Sequence, residues 1–190
     1  LGGAAVLVCT LALIFSAVFT EVTLVNIGAY GVFWAGWIGP LACAALGLVE
    51  DIRNNYLTPL FRLITMTLIF GVIIAVSPFL IPTELDVIGL KYLLDIPATG
   101  WFLTVIFCVG FINAVNMADG ANGLLPGILT ISFSIFYLET NGFIYAALMT
   151  SCGLFTIFNL ISGRLILGDA GAYGLGAALV LSGLFLFSEG

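Results

Sequence analysis

The chain has no histidine and only four basic residues, against ten acidic ones, in 190 positions. Without histidine this stretch holds no Ser-His-Asp or Cys-His catalytic pair and no histidine-ligated metal. Four basic residues give no electrostatic footprint for nucleic acid, so nucleic-acid binding is set aside. Charged residues make up 7% of the sequence and hydrophobic ones 62%, too little charge to cover a soluble domain of this length. The net charge of -6 says little about partners, because the few charges sit between apolar blocks. The four cysteines, Cys9, Cys43, Cys108 and Cys152, lie inside such blocks without metal-ligand spacing and read as small buried hydrophobes. The opening Leu1-Gly2-Gly3 has no initiating Met and no basic n-region, so it is no signal peptide. With the abrupt end at Ser188-Glu189-Gly190, this leads to the expectation of a single integral membrane domain over 1–190, a fragment incomplete at both ends.

What fills the chain is long apolar runs, and runs of about 18 residues or more read as membrane-spanning helices. Seven spans are expected, at 3–20, 30–49, 60–80, 101–118, 124–139, 143–161 and 172–188, so the fold class is an all-α polytopic transmembrane bundle. Thr58-Pro59 supplies an N-cap and a first-turn proline for the third span. Pro126 sits in the first turn of the fifth, where a missing N–H costs little. Pro40 lies mid-span and predicts a kink. The interval from Pro82 to Gly100 reads either as a short hairpin or as a surface-lying segment. No internal repeat is visible, so an inverted-repeat transporter gains no support from symmetry.

Threading the spans brings three polar clusters to one face: EDIRNNYLTP after the second span, NMADGANG after the fourth, and SGRLILGDAG after the sixth. Arg53, Arg62 and Arg164 fall on or near that face and Lys91 on the other, which makes it cytoplasmic by the positive-inside rule. The clusters carry Glu50, Asp51, Asp119 and Asp169, while the other six acidic residues fall at the opposite face. Adjacent carboxylates such as Glu50 and Asp51 tolerate each other best beside a cation, and Mg²⁺ prefers carboxylate and phosphate oxygens. A solvated helix end beside Arg53 explains that pair equally well. Asn113, Asn116 and Asp119 recur at i, i+3 and i+6, within about 120° of one helical face, and such a stripe belongs against a protein interior or a wet cleft. Helix capping accounts for Asp119-Gly120 but not for the deeper asparagines. Asp169 reads either as the N-cap of the seventh helix or as a metal-binding carboxylate. Asn159 ends the sixth span. Three clusters on one face suggest a shared cleft for Mg²⁺ and a phosphorylated substrate.

The order E-D, then NAVNMADGANGL, then FN…GRLILGDAGAYGLG resembles the polyprenyl-phosphate N-acetylhexosamine-1-phosphate transferases, from about Leu1 to the end of the chain. Gly2-Gly3 is similar to the GG that opens an early span in that family. The resemblance implies a membrane phosphotransferase that moves a sugar-1-phosphate from a UDP-N-acetylhexosamine to undecaprenyl phosphate, releases UMP and uses Mg²⁺. Such enzymes initiate peptidoglycan, O-antigen and related cell-envelope polysaccharides. It implies Asp51 and Glu50 as the catalytic acidic pair, with Glu50 in the place of an Asp, and Asp169 as metal ligand. It implies Asn113, Asn116, Asp119 and Asn159 as substrate-binding residues. The implied setting is the bacterial inner membrane, multi-pass, with the site on the cytoplasmic face and a homodimer as one arrangement. Family members carry a further span before the GG and a later His-containing loop, which this stretch does not contain. An ion- or proton-coupled transporter is the main competing reading; it places acids near mid-membrane, whereas these sit at span ends. A non-catalytic scaffold is the third reading, and it predicts that Asp51 and Asp169 are dispensable.

Overall fold

A computed structural model describes residues 2, 5–6, 30–53, 57–82, 90–163 and 166–189. Among them the chain forms seven α-helices and no strand. They are α1 (Tyr30–Arg53), α2 (Pro59–Val76), α3 (Leu90–Leu94), α4 (Pro97–Ala118), α5 (Leu124–Thr140), α6 (Phe143–Ser162) and α7 (Gly168–Glu189). Six of these correspond to expected spans; the span over 3–20 lies outside the described residues apart from Ala5 and Val6. The helices α2, α4, α6 and α7 are each long and apolar enough to cross a membrane, and α5 is a shorter apolar helix.

Local signals set most helix ends. Thr58 accepts a hydrogen bond from the Phe61 amide at 3.3 Å on its Oγ1, and Pro59 opens α2. The third span is expected to reach residue 80, but α2 stops at Val76. Pro78 lacks the amide to continue it, and a 3₁₀ turn, Pro78–Leu80, follows. Pro126 lies in the first turn of α5 as expected, and α1 runs through Pro40 without interruption. Of the Pro82–Gly100 interval, 83–89 lies outside the described residues, and the rest holds α3 and the start of α4. Gly163 ends α6 in the left-handed conformation (φ 59°), its amide bonding to the Asn159 carbonyl at 2.8 Å.

The bundle is organised around α7. Of its spanning window 72% is buried inside the protein, against 28–39% for α2, α4 and α6. Small residues make this possible: Gly171, Ala172, Gly174, Gly176 and Ala177 are all buried on α7 and let neighbouring helices approach. Helix α1 packs antiparallel along α7, with Gly39 against Leu181 at one end and Gly47 against Asp169 and Ala170 at the other. Helix α4 lies on another side, Val115 meeting Gly176. Helices α5 and α6 pair as a hairpin, joined by Thr130 and Thr156 hydroxyls 3.3 Å apart and by Phe136 edge-on to Tyr145. Helix α2 closes on α4 through a hydrogen bond from Trp101 Nε1 to the Gly71 carbonyl at 3.0 Å.

The outer faces are apolar. Leu60, Leu68, Val72 and Val76 on α2, Phe102 and Phe107 on α4, and Ile157 and Phe158 on α6 are exposed. Patches of that extent are unsuited to water but match hydrocarbon. The hydroxyls of Thr67, Thr104, Ser134 and Thr150 bond to carbonyls four residues back, so these four present no unsatisfied donor. Cys43, Cys108 and Cys152 are free and buried, in line with their reading as small hydrophobes; Cys9 lies outside the described residues. The protein is a polytopic helical membrane protein.

Gly47 marks the tightest helix approach. A Cβ there would lie 2.3 Å from the Asp169 carbonyl oxygen, a backbone atom that cannot rotate away. Gly110 on α4, by contrast, has nothing within 4 Å of such a Cβ. Gly47→Ala is expected to lower stability by about 1–3 kcal/mol through overpacking. Gly110→Ala should be neutral or slightly stabilising through helix propensity. Thermal unfolding of the purified protein in detergent checks both.

Candidate active site

Chain direction brings the three polar clusters to one end of the bundle. The C-terminal ends of α1, α4 and α6 and the N-terminal ends of α2 and α7 meet there, while Lys91, Asp95 and Glu139 lie at the other end. The N-terminus of α7 is the centre of this end. A helix start leaves four amides without intrahelical partners, and here other helices supply the acceptors. Asp51, at the end of α1, accepts the Asp169 amide on Oδ1 at 3.0 Å and the Ala170 amide on Oδ2 at 3.1 Å. Asp119, the residue after α4, accepts the Gly168 amide on Oδ2 at 2.9 Å. The positive end of the helix dipole favours carboxylates in both positions.

Glycine is required for this docking. Gly168 adopts φ +78°, and a Cβ on it would lie 2.8 Å from Asp51 Oδ2. The seventh span, expected from 172, therefore starts at Gly168, and Asp169 sits in its first turn rather than as its cap. The capping work falls to Asp51 and Asp119, which leaves the Asp169 side chain to face a cavity. Asn116 on α4 lines the same cavity. The cavity measures about 270 Å³ and is lined by Asp51, Asn116, Asp119, Asn122, Gly168 and Asp169 among others. Burial pushes the Asp119 carboxyl above its ordinary value, and the negative charges of Asp169 and Asp51 add to the rise, against the pull of the Gly168 and Leu167 amides. A larger cavity of about 700 Å³ lies at the other end, between Ile74, Pro78, Trp101 and Phe102; its lining is apolar but for Thr99 and Trp101 and holds no acidic or basic side chain.

The expected residues thus divide. Asp51, Asn116, Asp119 and Asp169 line one cavity. Asn113 does not: its side-chain amide donates to the Val109 carbonyl at 2.8 Å, one turn back on its own helix. It lies two turns deeper than Asp119 and about 120° around the helix, so the stripe rotates out of the cavity before reaching it. Asn159 is buried at the end of α6 beside Gly123 and is not among the residues that line the cavity. Glu50 is also outside it. Glu50 is 2% exposed, and its Oε1 is 3.0 Å from Arg62 Nη1. The same Nη1 donates to the Tyr173 hydroxyl at 3.0 Å.

Arg62, Tyr173 and Asn122 were not picked out as site residues from the sequence. Arg62 carried a signal, a charge one turn inside an otherwise apolar span. Tyr173 stands four residues after Asp169 on the same face of α7.

The chain matches the model of glycosyl transferase family 4 over residues 33–186. It is 40% identical over 101 residues to the phospho-N-acetylmuramoyl-pentapeptide-transferase of Limosilactobacillus fermentum, covering 47% of this chain and 31% of that protein. With the protein of the same name from Bacillus licheniformis the identity is 32% over 152 residues, covering 71% and 46%. With that of Oceanobacillus iheyensis it is 28% over 202 aligned positions, covering 94% and 60%. The chain therefore spans from about a third to three fifths of the length of these curated relatives. The matched region takes in the whole cavity and the Glu50–Arg62–Tyr173 cluster, and the chain belongs to glycosyl transferase family 4.

Proposed function

We propose that this chain forms the core of a membrane phosphotransferase that moves an N-acetylhexosamine-1-phosphate from a UDP-sugar to undecaprenyl phosphate and releases UMP, initiating a cell-envelope polysaccharide. The observation that carries the reading is the convergence of Asp51, Asn116, Asp119 and Asp169 from α1, α4 and α7 on one small cavity at the end of an apolar bundle. A lipid-borne acceptor calls for a site at the membrane boundary. The basic residues grouped at this end support a cytoplasmic orientation, where nucleotide sugars are available. A coupled transporter would instead bury its acids near mid-membrane. The relatives' name makes phospho-N-acetylmuramoyl-pentapeptide the first group to test for transfer, with phospho-N-acetylglucosamine beside it.

The acid set suits Mg²⁺ in a particular way. Among the described residues no group of three or more acidic, cysteine or histidine side chains is placed to enclose an ion. Mg²⁺ in phosphoryl-transfer sites is commonly held by one or two carboxylates, with substrate phosphates and water completing the shell. Asp169 is the proposed ligand, with Asn116 and the Asp51 carboxylate in the same cavity lining. Bound there, Mg²⁺ would neutralise charge on the pyrophosphate and on the departing UMP. Asp51 has the position to orient the lipid phosphate. Both its oxygens are tied to α7, so its place relative to Asp169 is fixed before substrate arrives. In the transfer one P–O bond forms between an acceptor phosphate oxygen and the sugar-bearing phosphorus. The P–O bond from that phosphorus to UMP breaks, and UMP leaves with the bonding pair.

In the intact protein, Mg²⁺-dependent UMP release from a UDP-N-acetylhexosamine or UDP-N-acetylmuramoyl-pentapeptide with undecaprenyl phosphate tests the reading. Asp169→Asn and Asp51→Asn are each expected to lower turnover by about a hundredfold or more; wild-type turnover in both contradicts the site. The asparagines separate the cavity from its surroundings. Asn116→Ala should reduce turnover at least about tenfold, whereas Asn113→Ala, pointing back along its own helix, should stay within about threefold of wild type. Comparable losses in both variants would place the substrate elsewhere.

A further inference from the structure

Glu50, Arg62 and Tyr173 form a buried polar group next to the cavity but outside its lining. Arg62 comes from the first turn of α2, Glu50 from the last turn of α1 and Tyr173 from the second turn of α7. One guanidinium nitrogen reaches both partners at 3.0 Å, so a single side chain ties three helices together. Glu50 adjoins Asp51 in sequence, and Tyr173 is one turn from Asp169. The ties therefore join the helix ends that carry Asp51 and Asp169, both of which line the cavity. Both Glu50 carboxylate oxygens are buried and neither has a hydrogen-bond partner among the described residues, so Oε1 meets Arg62 as a charge contact. A buried carboxylate in that state depends on Arg62 for its charge balance. Tyr173 is 1% exposed, so neither it nor Glu50 reaches a substrate directly.

We infer that Glu50, Arg62 and Tyr173 are positioning residues: the guanidinium fixes the separation of Asp51 and Asp169 by linking the helix ends that carry them. Glu50 then acts as the counter-ion of Arg62 and not as an acid or base on substrate. The inference rests on the transferase reading for its kinetic consequence but not for its structural one. Because α1 and α7 meet through Gly47 and the α7 amides, a small shift of either end moves one carboxylate against the other. Mispositioning of reacting groups by about 1 Å can cost about a hundredfold in rate.

The test uses the intact protein in detergent and in lipid. Arg62→Gln leaves Glu50 uncompensated and is expected to lower the melting temperature by at least about 5 °C. Adding Glu50→Gln to it should restore at least half of that loss, since the orphaned charge is gone. A double variant no more stable than Arg62→Gln overturns the ion pair whatever the protein catalyses. Tyr173→Phe removes only the α7 tie. It is expected to melt within about 2 °C of wild type yet need several-fold more Mg²⁺ for half-maximal UMP release, with kcat lowered about tenfold and KM for both substrates unchanged. Wild-type kcat and Mg²⁺ dependence in Tyr173→Phe overturn the positioning role. So does an Arg62→Lys variant that raises KM for undecaprenyl phosphate tenfold at unchanged kcat, because that makes Arg62 a substrate ligand. If the wild-type protein releases no UMP, the transferase reading fails, and the melting comparison still decides the ion pair.

Discussion

A helix that starts inside a packed membrane bundle must satisfy its first amides without water, and the start of α7 does so with carboxylates from two other helices. Asp51 takes the amides of Asp169 and Ala170, and Asp119 takes that of Gly168. Much of this end of the molecule depends on that arrangement. The amides are reached only because Gly47 allows α1 to touch the α7 backbone and Gly168 leaves room for the Asp51 oxygens. Since the caps come from elsewhere, Asp169 is not consumed in capping its own helix and turns toward the cavity with Asn116. Fold and candidate site share the same bonds: what anchors the most buried helix also assembles the acidic cavity.

The cost of the arrangement is electrostatic. Glu50, Asp51, Asp119 and Asp169 crowd one end of a bundle that is otherwise apolar, and Arg62 contacts Glu50 directly. Amide hydrogen bonds and the α7 dipole offset part of the repulsion at Asp51 and Asp119. Burial and the neighbouring charges still push the Asp119 carboxyl above its ordinary value. The divalent cation proposed for this cavity would bring positive charge and its own phosphate partners to it. This is the physical link between the geometry and the phosphotransfer proposed for it.

Much of the architecture was legible in the sequence because single physical signals decide it. Apolar runs of about 16 to 21 residues gave the spans, Thr58-Pro59 gave the start of α2, and alternate threading gave the common end for Asp51, Asp119 and Asp169. The start of α7 was placed four residues late, because the usual capping rule looks for an acceptor next to the helix and not on two distant ones. Asn113 was grouped with Asn116 and Asp119 by periodicity alone, and a spread of about 120° is too wide for one small cavity. The Arg62–Tyr173 contact joins residues 111 positions apart, and no local pattern points to it. The adjacency of Glu50 and Asp51 suggested a shared role, but successive helical residues point about 100° apart. One faces the cavity, and the other faces Arg62.

Amide hydrogen exchange over residues 167–171 in the intact protein tests the central claim most directly. If Asp51 and Asp119 hold the start of α7, these amides exchange slowly in the wild type. They should then exchange about tenfold faster in Asp51→Ala and in Asp119→Ala, while the middle of α7 is unchanged. Exchange in the wild type as fast as in an open loop, or rates indifferent to both substitutions, would contradict the account.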